Sequence, residues 1–104
     1  VYKANEYKVW RAVSAAETVQ AGAQLLVNTS GGGVTVTLPA SPSTGDEVSF
    51  IDQGYDFDSN NLIVGRNSSN IANAASNLTV ATQGAGFTLV FSGDATTGWT
   101  YKEK

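Results

Sequence analysis

No apolar run between Gly22 and Tyr101 outlasts a short β-strand before glycine, proline, asparagine or aspartate stops it. Leu25-Leu26-Val27 ends at Asn28-Thr29-Ser30-Gly31-Gly32-Gly33, and Val34-Thr35-Val36-Thr37-Leu38 then alternates apolar and polar residues until Pro39. That period of two is the pattern of a half-buried strand. A second turn at Pro42-Ser43-Thr44-Gly45 precedes Glu47 to Asp52, with Val48 and Phe50 on one face. Leu62-Ile63-Val64, Leu78-Thr79-Val80, Phe87 to Phe91 and Trp99-Thr100-Tyr101 continue the series. Turn residues recurring after such short runs leave no room for a long amphipathic helix. They point to a compact all-β fold, a β-sandwich or small barrel of about six to eight short antiparallel strands. No fixed-period repeat is evident, so a solenoid is not expected.

Residues 1–21 differ from the rest of the chain. They hold Tyr2, Tyr7 and Trp10 and half of the basic residues. Ser14 with Glu17 has capping-box spacing and would allow a short helical turn. The alternation around Tyr7, Val9 and Arg11 favours an extended N-terminal arm or edge strand over 1–21, leaving 22–104 as the β domain. Tyr2, Tyr7 and Trp10 are candidate interface residues, because exposed aromatic rings anchor subunit contacts.

The 104 residues suit one domain and one core. Charged residues make up 14% of the chain, against about 25% in a typical globular protein. Solubility therefore does not rest on dense ionic dressing, and part of the surface is expected to be neutral or covered by neighbouring subunits. The net charge of -3 and the absence of a basic stripe argue against nucleic acid as a partner. No apolar run approaches the roughly 20 residues that span a bilayer, and the charges at Lys3, Glu6, Lys8 and Arg11 break any signal-peptide core. Neither a membrane partner nor a leader is expected.

Histidine and cysteine are absent. Ser-His and Cys-His nucleophile systems are thereby excluded, as are zinc sites built on those ligands. A carboxylate pair remains conceivable, but Asp46, Glu47, Asp52, Asp56, Asp58 and Asp94 all lie in or beside turns, where aspartate is ordinary turn chemistry. Asp56, Asp58 and Asn60 have the one-three-five spacing of a calcium loop, yet the sixth position is Asn61 and the twelfth Asn67. Gly31-Gly32-Gly33 lacks the Lys-Ser/Thr of a phosphate loop and reads as a hairpin connection. No enzymatic activity, cofactor or metal is expected. The widest loop tip carries Tyr55, Asp56, Phe57 and Asp58, the candidate loop for contact with an external partner. Trp99 and Tyr101, at period two beside the Phe87–Phe91 run, read as core, and Arg66 as the partner of a nearby carboxylate or carbonyl.

Residues 30–99, taken together, resemble a domain of bacteriophage tail-fibre and other virion structural proteins, notably of marine and cyanobacterial phages. The resemblance lies in Val34-Thr35-Val36-Thr37-Leu38-Pro39, in Pro42 to Val48 and in Asp52. It continues in Asn61 to Asn67, Ser69-Asn70-Ile71, Asn77-Leu78-Thr79, Phe87 to Phe91 and Gly98-Trp99. It implies a β-rich, non-enzymatic, commonly trimeric virion protein that works through contacts with other virion proteins. No residue-level site comes with it. The chain lacks a fibre shaft repeat, and its aromatic arm lies outside the match, so a capsid decoration role fits as well as a tail-fibre or appendage module. A carbohydrate-binding β-sandwich that recognises a host surface glycan through Tyr55 and Phe57 is the alternative.

Overall fold

The computed structural model describes residues 9–102. Nine strands are present among them: β1 (Trp10–Val13), β2 (Glu17–Thr18), β3 (Gln24–Val27), β4 (Val34–Thr37), β5 (Glu47–Asp52), β6 (Leu62–Gly65), β7 (Leu78–Val80), β8 (Gly86–Phe91) and β9 (Trp99–Tyr101). Valine, threonine and aromatic residues populate them, side chains that pack well on a pleated surface. The strands form a five-stranded sheet A in the order β1-β3-β5-β8-β9 and a four-stranded sheet B in the order β2-β4-β6-β7.

The connectivity corrects the expected antiparallel arrangement. The first six strands alternate between the sheets, and within each sheet they run parallel: β1 with β3, β3 with β5, β2 with β4 and β4 with β6. The chain thus winds as three turns of a flattened coil before β7, β8 and β9 close it with antiparallel pairs. The sheets are open, with distinct edges, so the barrel alternative falls. Successive turns differ in length, since Trp10 pairs with Gln24 but Gln24 pairs with Ser49. Unequal loops erase the sequence period that stacking turns would otherwise impose. For the same reason Gly31-Gly32-Gly33 is no hairpin: it carries the chain from sheet A to sheet B, with Gly32 at φ 136°.

Alternation decides what is buried. In sheet A, Val13, Leu25, Val27, Val48, Phe50, Leu89 and Trp99 face inward, and in sheet B so do Val34, Val36, Leu62 and Val64. Both sets belong to one core cluster, to which Val19, Leu38, Phe57 and Ile71 add side chains from the connections. Phe50 stacks on Phe87 with ring centroids 5.0 Å apart, and Phe91 meets Trp99 edge-on at 5.5 Å. At one side the seam between the sheets is closed by an ion pair from Arg11 of β1 to Glu17 of β2. At the other, β7 borders an open apolar groove of about 350 Å³.

Candidate functional site

The loop after β5 is built around one carboxylate. Asp52 ends the strand on its inward face, 1% exposed, where an ionised group requires partners. Its Oδ1 accepts the Asp56 N–H at 3.1 Å, and its Oδ2 accepts those of Phe57 at 3.1 Å and Gly84 at 2.9 Å. One side chain therefore ties residues 53–61 to the 81–85 connection. Gln83 reinforces the tie by donating from Nε2 to the Tyr55 carbonyl. Inside the loop, the Asp56 carbonyl accepts from Ser59 and Asn60, and Asn61 Nδ2 donates to the Phe57 carbonyl.

This framework separates the four loop candidates. Tyr55 stands out at 62% exposure, in a left-handed conformation with φ 56°. A Cβ placed on Gly84 would come within 2.8 Å of the Tyr55 ring, so that glycine is what lets the ring lie against the 81–85 loop. Asp58 is exposed and Asp56 half-buried beside it. Phe57 does not belong with them. Expected on the surface, it is fully buried in the core cluster, because the Asp52 carboxylate draws its backbone inward and places the ring between the sheets. An aromatic inside an Asp/Asn-rich loop carries no periodic signal of its direction.

Of the arm candidates, Tyr2 and Tyr7 lie outside the described residues. Trp10 opens β1, the edge strand of sheet A, and faces outward at 39% exposure. It shares a shallow hollow of about 230 Å³ with Ile51 and Thr88. On the same face Ser49 is buried, its hydroxyl sharing a hydrogen bond of 2.8 Å with that of Thr88. Leu26, Ile51 and Val90 occupy outward positions of the same sheet, and Val9 precedes it as an exposed apolar residue. Sequence reasoning missed this face. The polar residues between these positions made the strands look half-solvated, and no local signal marks the face, because Leu26 and Ile51 become neighbours only once β3 and β5 pair in register.

Arg66 donates from Nε to the Ser69 carbonyl at 2.9 Å and faces the Asn70 Oδ1 at 3.3 Å, stapling its own loop rather than a ligand. The Arg11–Glu17 pair lines a wide, open hollow at the β2 edge. The hydrogen bond from Arg11 holds the Glu17 carboxyl below its ordinary pKa, and the carboxylate in turn raises that of the guanidinium. Among the described residues, no three acidic side chains converge as a metal site would require. No protein-family model matches the chain, and no curated protein matches it significantly.

Proposed function

We propose that this chain is a non-enzymatic virion structural protein of a bacteriophage, a tail-fibre or appendage module or a capsid decoration protein, that acts as a homotrimer through contacts with itself and other virion proteins. The supporting observation is the outer face of sheet A. On it Trp10 and Ile51 are exposed and Leu26 and Val90 half-buried, apolar side chains on the side away from the core. Apolar side chains in such a position fit a surface that a neighbouring protein covers. The resemblance of residues 30–99 to phage structural domains supplies the class of neighbour.

Absolute mass by light scattering during size exclusion tests the reading. A mass of three chains that survives dilution, together with binding to phage particles stripped of this protein, is the expected result. A stable monomer with no affinity for any particle component overturns it.

A second reading rests on Tyr55. A ring held by Gly84, Gln83 and a left-handed backbone, next to Asp56 and Asp58, suits stacking on a sugar face with carboxylates accepting from its hydroxyls. Glycan-array binding abolished by Tyr55→Ala supports this function, and binding that survives the change removes it.

A further inference from the structure

The end of the molecule that presents Tyr55 carries charge of one sign. Three connections, 28–33, 53–61 and 81–85, lie side by side there. A Cβ on Gly54 would stand 3.2 Å from the Asn28 Oδ1, and Gln83 Nε2 donates to the Tyr55 carbonyl at 3.1 Å, so 53–61 lies between the other two. The charged side chains of these loops are Asp56 and Asp58, and none of the three holds a lysine or an arginine. Cations described elsewhere in the fold are engaged there. Arg11 pairs with Glu17 and Lys102 with Glu47, while Arg66 binds the Ser69 carbonyl and Asn70.

Both carboxylates stay near the ring. Asp56 follows Tyr55 directly, and its carbonyl accepts from Ser59 at 3.0 Å and Asn60 at 2.8 Å, folding 56–60 into a tight turn. Asp58 is three residues from Tyr55, at most about 11 Å between Cα atoms for an extended chain, and the turn shortens that. Charges this close are only partly screened at physiological salt, where the Debye length is about 8 Å. The ring itself makes no such selection. It lies over Gly84, with three of its carbons 2.8, 3.1 and 3.4 Å from where a Cβ there would stand, and an aromatic face stacks on a sugar ring whether or not that sugar is charged. Carboxylates do discriminate. They accept strong, charge-assisted hydrogen bonds from hydroxyls, and they repel a carboxylate, sulfate or phosphate set beside them.

We infer that Asp56 and Asp58 make the Tyr55 loop selective for neutral glycans, sugars that present hydroxyls and no carboxylate, sulfate or phosphate group. The inference rests on the Tyr55 glycan reading and adds the class of sugar and the residues that choose it.

An array of matched pairs tests it, each neutral oligosaccharide printed beside the same sugar carrying a terminal sialic acid or a sulfate. The wild-type chain is expected to bind the neutral members at least about tenfold more tightly. Asp56→Asn combined with Asp58→Asn keeps side-chain size and removes both charges, and it is expected to bring that ratio close to one. Its circular dichroism spectrum is expected to match the wild type. Rising salt is expected to lower the wild-type ratio, and because that series needs no variant it decides even where the substitutions unfold the chain. Tyr55→Ala is expected to abolish binding to both members of each pair. Equal wild-type binding to both members, a preference for the acidic one, or a ratio unmoved by salt or by the double variant overturns the inference, while the Tyr55 reading stands. Binding that survives Tyr55→Ala, or no binding to any glycan, removes both.

Discussion

At the scale of single residues, conformational and electrostatic detail separates positions that look alike in the sequence. Asp52 and Asp58 are both loop aspartates, but Asp52 satisfies three backbone donors while buried. Asp52→Ala should cost about 3 kcal/mol, because each orphaned buried donor carries roughly 1–3 kcal/mol; Asp58→Ala should leave the denaturation midpoint unchanged. Phe57→Ala should cost about 3–5 kcal/mol as a core truncation, whereas Tyr55→Ala should stay within about 0.5 kcal/mol as a surface change. Equal effects in urea denaturation would contradict the burial described. Gly98 and Gly84 contrast in the same way. A Cβ at Gly98 would collide with the Asn70 carbonyl oxygen, part of the backbone, while one at Gly84 meets only the Tyr55 ring, which can swing away. Both glycines have left-handed backbones, so either alanine is strained, but Gly98→Ala should destabilise the protein far more, while Gly84→Ala adds to that strain only a displaced Tyr55 ring, read as a change in tyrosine fluorescence. The Arg11–Glu17 pair adds a small pH dependence. The Glu17 carboxyl titrates lower in the folded chain than in the unfolded one, where its pKa is about 4.3. Its contribution is thus complete above that value and fades as pH falls through the lower folded one. Glu17→Gln should flatten that part of the acid limb of an unfolding curve.

At the scale of elements, position in the sheet sets local stability. β5 sits between β3 and β8, with Val48 and Phe50 buried and a neighbour on each side. Its amides should exchange most slowly with deuterium, near the global unfolding free energy, while the two-residue edge β2 should exchange fastest. Comparable protection in β2 and β5 would refute the strand order. The sequence announced most of these elements. Val34–Thr37 and Leu78–Val80 alternate at period two, and Phe87 and Leu89 share the face of Val48 and Phe50 across the β5–β8 pair. It did not announce direction. A run such as Leu62-Ile63-Val64 is equally apolar whether its neighbour runs parallel or antiparallel, and short turn-rich connections read as hairpins. The asymmetry of the two seams, ionic at β1–β2 and apolar at β7, was also illegible, because Arg11 and Glu17 meet only once the sheets are stacked.

At the scale of the whole molecule, sheets assembled from non-local parallel pairs should fold slowly for a chain of this size, in milliseconds to seconds. Stopped-flow refolding in microseconds would speak against the coil. The homotrimer proposed above predicts a mass of three chains in solution, and light scattering is the measurement that reads it. The amino-acid sequence alone determined that this chain is all-β, which side chains alternate into the core along each strand, and that neither histidine nor cysteine chemistry is open to it. Those properties follow from local sterics, the two-residue period of a strand and the presence of reactive groups, all written residue by residue. The tertiary structure decided that the first six strands wind in parallel through two sheets, that Phe57 turns inward while Tyr55 stays out, and that one seam is ionic and the other apolar among the described residues. Those outcomes depend on which strand comes to lie beside which across loops of unequal length, and local pattern carries no record of that choice.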